Sequence, residues 1–255
     1  NMAGIAAGLA LSGRKVYCYS IIPFLVMRAY EQIRVDIAFH NLNVRLIGAG
    51  GGFTYGLEGF THFALEDLAL MRALPNMTVV VPSDRPQAEA LAEASYEHEG
   101  PMYIRLGRTD YTIGEEDMPP LKIGKAMILS EGFDVALFAN GFMVSVAREV
   151  ANLLKRRGLS VTLVNIHTLK PLDSTTISRV LKTHGAAFTI EEHYLNGGLG
   201  SAVAEIAAEE GYGGIFKRFG IPDLLGKCIG RAQRLQEQYG LTAPLLHQAI
   251  LKYLG

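Results

Sequence analysis

Thr54, Tyr55, Glu58, Thr61 and His62 bring two hydroxyls, a phenol, a carboxylate and an imidazole into one short stretch, GAGGGFTYGLEGFTH (residues 48–62). Such a set can donate to and accept from a polar ligand at several points. The surrounding glycines permit the unusual backbone angles on which binding loops are built. The same stretch is also what a glycine-rich connection in an ordinary α/β domain looks like. It is not a dinucleotide fingerprint, because Phe53 occupies the third glycine position. Gly197, Gly198 and Gly200 precede a helical pattern whose N-terminus could take an anion. His184, His193 and His247 show no ligand spacing, and Cys18 and Cys228 lie far apart without a metal-ligand pattern, so they are expected to be buried free thiols.

The polar loop needs rigid elements on both sides. An apolar run at 44–47 reads as the strand that feeds it, and an amphipathic run at 64–74 as the helix that receives it. Before them, Met2, Ile5, Ala6 and Leu9 recur at helical spacing with Gly13 as a stop. That helix begins at residue one without a cap, which implies that chain precedes it. A strand at 16–20 and a long helix at 24–39 come next. After the loop, a strand at 77–81 leads to a helix capped by Ser83 or Asp84 and running to about His98, with Pro86 in its first turn; a strand at 101–106 follows.

Polar and Pro-rich composition at 108–122 breaks this alternation and reads as a domain boundary. The pattern then repeats. Strands are expected at 133–139, 161–166 and 186–190. Met143, Val146, Ala147, Val150, Leu153 and Leu154 form one apolar helix face, Asp173 caps a helix at 174–183, and a helix at 201–210 follows the second glycine loop. Alternating strands and helices imply two consecutive three-layer α/β domains with mostly parallel sheets, at 1–108 and 123–255, joined by a linker at 109–122.

Bulk properties narrow the function classes. The 255 residues exceed the usual size of one domain, and 24 Lys plus Arg against 25 Asp plus Glu give no electrostatic reason to seek nucleic acid or anionic membrane. No apolar run approaches a bilayer span, and no basic region followed by a hydrophobic stretch opens the chain. A cytoplasmic location is expected.

The motifs YSIIPFLVMRAYEQIRVD (19–36), EGFTH (58–62), LMRALPNMTVVVPSD (70–84) and IRLGR (104–108) resemble the pyrimidine-binding domain of transketolases and deoxyxylulose-phosphate synthases. LVNIHTLKPLD (163–173) and IEEHYLNGGLGSAVAE (190–205) resemble the C-terminal domain of the same thiamine-diphosphate family. The resemblance spans essentially the whole chain in the family's order. It implies a subunit of a split transketolase that moves a two-carbon ketol unit between sugar phosphates. The cofactor is thiamine diphosphate, an electron sink once its thiazolium carbon has lost a proton. The family's Gly-Asp-Gly diphosphate domain does not occur in the sequence. The resemblance therefore implies a separate diphosphate-binding N-terminal subunit that holds Mg2+ or Ca2+, an active site between subunits, and self-association across a two-fold axis into a heterotetramer. The catalytic Glu that the family places before Asn-Met falls two positions ahead of Asn1. A deoxyxylulose-phosphate-synthase-like or 2-oxoacid dehydrogenase beta-like subunit, or a non-catalytic partner subunit, is the alternative.

The resemblance also implies roles. Phe24 matches the ring that stacks on the cofactor's aminopyrimidine, and one of Met27 and Arg28 lines that pocket, although Arg28 is equally spaced to pair with Glu31. His62 matches the His that contacts substrate oxygens near the reacting carbon, a task suited to an imidazole near neutral pH. Glu58 stands where the family usually has an Asp that recognises a substrate hydroxyl, and Arg108 matches the Arg that grips the terminal phosphate. Glycine around position 50 replaces the family's companion phosphate His. Arg105 is expected to be structural.

Overall fold

A computed structural model describes residues 1–107, 121–224 and 228–255. Arg108 and nearly all of the expected linker lie outside the described residues.

The first half contains β1 (Val16–Ile21), β2 (Val44–Ala49), β3 (Thr78–Val80) and β4 (Met102–Leu106), paired in parallel in the order β1-β2-β4-β3. Strand β2 is buried on both faces apart from one residue, as a strand covered by helices on either side must be. Around it lie α1 (Met2–Leu11), the short α2 (Tyr30–Gln32), α3 (Asp67–Ala73) and α4 (Arg85–Glu97). The carboxylate of Asp84 accepts the Gln87 amide at 3.0 Å, so the expected cap and the Pro at the helix start are both present.

The second half forms a sheet in the order β10-β9-β6-β7-β5. Its strands are β5 (Met127–Ser130), β6 (Val135–Ala139), β7 (Val161–Asn165), β9 (Ala186–Tyr194) and β10 (Ile215–Ile221); all pairings are parallel except β5 on β7. Helices α5 (Met143–Lys155), α6 (Ser174–Thr183), α7 (Leu199–Glu209), α8 (Ala232–Gln238) and α9 (Ala243–Leu254) complete it. Asp173 caps α6 through the Thr176 amide.

Several sequence expectations change. The pattern at 24–39 is not one α-helix: π-turns at Pro23–Met27 and Ile33–Ala38 flank α2, with the amides of Arg28 and Phe39 reaching carbonyls five residues back. Helix α3 begins at Asp67 rather than at 64, because Ala64 exchanges both backbone hydrogen bonds with Gly52. Cys228 is exposed, whereas Cys18 is buried. Strand β8 (Thr168–Lys170), absent from the sequence reading, leaves the second half and adds antiparallel to β3. The two halves therefore share one sheet edge. Among the described residues, no helix is long and apolar enough to cross a membrane.

His167, in the turn between β7 and β8, is part of that lock. Its carbonyl accepts the Val81 amide at 2.7 Å, and its ring is fully buried beside Thr168 Oγ1. Burial pushes the imidazole down to about 4 from its ordinary 6.5. Since the unfolded chain takes up this proton first, the contribution is complete above about pH 6.5 and declines as pH falls toward 4. Urea titrations at pH 7.5, 5.5 and 4.5 are expected to show a smaller acid-side loss of stability for His167→Asn than for the wild type.

Candidate active site

The loop between β2 and α3 is closed at its base by the Gly52–Ala64 bridge and tied to the sheet by the amides of Gly50 and Gly51, both donated to the Leu106 carbonyl. It thus stands at the carboxyl ends of parallel strands, where open α/β sheets place ligands. Within it, the His62 amide donates to the Gly59 carbonyl, and Nδ1 lies 3.0 Å from Thr61 Oγ1. The half-buried imidazole meets the half-buried Phe24 ring edge-on, with centroids 5.0 Å apart. The Arg28 guanidinium lies over that ring, 5.0 Å from its centroid. Three residues from two distant segments thereby share one surface.

A cavity of about 160 Å³ runs beside this group, lined by Cys18, Phe24, Leu25, Arg28 and Leu46 together with the start of α1. Its wall combines the Phe24 ring and the apolar Cys18, Leu25 and Leu46 with the polar Arg28 and Gln32, a mixture that suits a flat heterocycle carrying polar atoms. Of the two alternatives in this helical segment, Arg28 borders the cavity, while Met27 packs against the first hydrophobic cluster. Glu31 pairs with Arg34 at 3.5 Å. Glu58 is exposed, and the structure does not join it to His62.

Tyr55 was not singled out by sequence beyond its polarity. Its ring rests on Gly50, which has a φ of +91°; a Cβ there would come within 2.2 Å of the ring. The missing side chain at position 50 and the bulk at 55 are one adjustment. The same phenol ring lies 6.4 Å from the His62 ring, edge to face.

Behind the loop is a buried ionic group that joins the two halves. The Tyr103 hydroxyl donates to Asp67 Oδ2 at 2.6 Å, Arg105 Nε donates to the same oxygen at 2.9 Å, and Arg105 Nη2 donates to the carbonyls of Ala64 and Glu192. Burial works against the Arg105 charge, but Asp67, Tyr103 and Glu192 outweigh it and the guanidinium's pKa moves up. Burial, with Asp67, pushes the Tyr103 phenol well above its ordinary range. The structural reading of Arg105 agrees with this placement.

Across the domain boundary, the Glu192 carboxylate accepts the Phe53 amide at 3.2 Å and Gln236 Nε2 at 2.6 Å. A cavity of about 250 Å³ opens beside it between Thr54, Asn140, Phe142 and Gln236. The second glycine loop is filled from within. Glu191 caps α7, accepting the amides of Leu199 and Gly200 at 2.7 Å each, and burial lifts this carboxyl to about 7 against the pull of those bonds. Among the described residues, no group of three or more His, Cys, Asp or Glu lies together as a metal site.

Residues 1–113 match the transketolase pyrimidine-binding domain, and residues 124–245 match the transketolase C-terminal domain. A 6-deoxy-6-sulfo-D-fructose transketolase subunit of Clostridium sp. strain MSTE9 is 37% identical over 95% of this chain and 75% of that subunit. An apulose-4-phosphate transketolase subunit of Actinobacillus succinogenes is 33% identical over 95% of this chain and 78% of its own length. Among solved structures, a split-gene transketolase described as an inactive beta4 tetramer superposes with a TM-score of 0.88 at 38% identity, covering all of this chain and 80% of that one.

Proposed function

The chain belongs to the transketolase family, and from that premise we propose the part of a ketol transfer that each of its residues carries. It is a subunit of a thiamine-diphosphate-dependent transketolase and presents the wall that faces the pyrimidine ring. A separate subunit anchors the diphosphate and its divalent cation; the relatives named as subunits support this division of labour. Donor and acceptor are a ketose phosphate and an aldose phosphate, and a two-carbon ketol unit passes between them. The observation that carries the reading is the contact of Phe24, Arg28 and His62 beside a cavity that the first two line.

When bound, thiamine diphosphate supplies the electron sink for breaking the bond next to a ketose carbonyl. Phe24 offers its ring to the pyrimidine, and the Arg28 guanidinium over that ring steadies it. His62, at the loop's edge against Phe24, hydrogen-bonds a substrate oxygen near the reacting carbon and can hold or release a proton there. Tyr55 and Glu58 face the rest of the sugar, and Arg108 binds its phosphate. The Tyr55 ring fills the space left by the absent side chain at Gly50.

Assembly uses the apolar surface left uncovered in the first half. Met2, Ile5 and Leu9 on α1, Tyr19 on β1 and Phe39 are all exposed. Two copies of this chain and two of the diphosphate-binding subunit meet there as a heterotetramer; the split-gene neighbour, an inactive beta4 tetramer, supports the self-association part of this reading.

Reconstitution tests the reading. The complex with the diphosphate-binding subunit, thiamine diphosphate and Mg2+ is expected to turn over xylulose 5-phosphate with ribose 5-phosphate, and turnover of pyruvate instead would reject it. In the same complex Phe24→Ala is expected to weaken thiamine diphosphate binding roughly 2- to 10-fold, the size of one aromatic stack. Calorimetric titration reads this directly.

A further inference from the structure

We infer that Glu192, a residue of the C-terminal domain, is a positioning residue for the loop that carries His62: its buried carboxylate clamps the main chain at Phe53 and so fixes where the loop leaves the sheet. The clamp goes beyond ketol transfer as assigned to Phe24, Arg28 and His62, which engages no residue of the C-terminal domain, and it rests on that assignment only for its kinetic arm.

Four observations converge on it. Glu192 Oε2 accepts the Phe53 amide, while Oε1 is held by Gln236 Nε2, so the carboxylate is fixed at both oxygens. Gly52 leaves room for it: φ there is +63°, and a Cβ would lie 1.8 Å from Glu192 Oε2. The Phe53 side chain belongs to the hydrophobic cluster of the second half, stacked on Tyr239 at 5.5 Å and edge-on to Phe63 at 5.2 Å. The Glu192 carbonyl accepts Arg105 Nη2, and the same nitrogen donates to Ala64, which closes the loop opposite Gly52. One residue of the C-terminal domain thus touches the loop's first turn through its side chain and the loop's far end through Arg105.

The physical consequence follows from the alternative. Without the carboxylate, the Phe53 amide is buried with no acceptor, and a buried unpaired donor is costly enough to drive the local backbone toward water. The Gly50–Gly52 run has little intrinsic preference with which to resist. His62 would then lose its fixed place against Phe24, and reacting groups displaced by about 1 Å lose rates of about 100-fold. Phe24 lies on a different element, so cofactor affinity should be spared.

Hydrogen exchange on the chain itself and kinetics of the reconstituted complex test the clamp together. For Glu192→Ala, exchange in peptides covering 50–64 is expected to rise at least about tenfold with the C-terminal sheet unchanged. In the complex, kcat for ketol transfer should fall about 10- to 100-fold, with thiamine diphosphate affinity within about twofold of wild type. Glu192→Gln, whose carbonyl can still accept the Phe53 amide while Gln236 turns its own amide, should restore both readouts to within about threefold. Gln236→Leu, which frees one oxygen only, should give a smaller rise confined to the same peptides, and it serves if Glu192→Ala does not fold. Unchanged exchange at 50–64 overturns the inference, as does a uniform rise across the chain in the Gln236 variant. If wild-type complex shows no ketol transfer, the assigned function fails while the exchange result still decides the clamp.

Discussion

Arg105→Met is expected to lower the unfolding free energy by roughly 3–5 kcal/mol, the effect of removing one partner from a buried ion pair. Arg105 and Asp67 are both buried, their contact is 2.9 Å, and no solvent is available to the carboxylate that would remain. The loss extends past the pair. Arg105 also donates to Ala64 at the base of the loop and to Glu192 across the domain boundary, so two carbonyls would lose a donor. At about 2–4 °C per kcal/mol for a chain of this size, the melting temperature should drop by about 10 °C. Adding Asp67→Asn should return a large part of the loss, since a neutral amide oxygen can still accept the Tyr103 hydroxyl and no unpaired charge stays buried. Denaturant titration of wild type, single variants and the double variant measures this. If Arg105→Met is as stable as wild type, neither the pair nor the Arg105 bond to the Glu192 carbonyl holds this region together.

His62→Ala should have the largest effect on activity, a fall of about 100-fold in kcat/KM for the ketose donor, near the lower end of what a positioned proton-handling group contributes. Stability should barely change. The ring is only half-buried and packs edge-on against Phe24, while the loop is closed by the Gly52–Ala64 bridge and anchored by Phe53, neither of which involves the imidazole. The reconstituted complex is assayed with ketose and aldose phosphates, and thermal melts are recorded in parallel. A loss of activity matched by a loss of melting temperature would assign His62 to the fold rather than to the substrate.

The two variants bracket the site from behind and from in front. Arg105 and Glu192 lie on the buried side of the loop, where charge can be held only in closed hydrogen-bonded groups. His62 and Tyr55 lie on the side open to a ligand. Of these, only His62 stands out as chemistry in a one-dimensional reading, because an imidazole in a glycine loop is conspicuous. Arg105, Asp67 and Glu192 look like ordinary charges until their partners are known.

Local signals that act within a few residues were legible from the chain alone. The caps at Asp84 and Asp173, the strand–helix alternation, the two-domain α/β class and the loop with its polar set all arise from short-range sterics, hydrogen bonds and apolar periodicity. The stretch at 24–39 kept its helical periodicity but not its regularity, since a pattern of apolar positions does not report whether hydrogen bonds span four residues or five. Strand β8, the passage of Phe53 into the core of the second half against Tyr239, and the clamp by Glu192 join residues up to 186 positions apart. Which distant donor meets which acceptor depends on how two sheets dock, and that docking is a property of the assembled cores that no local window of sequence contains.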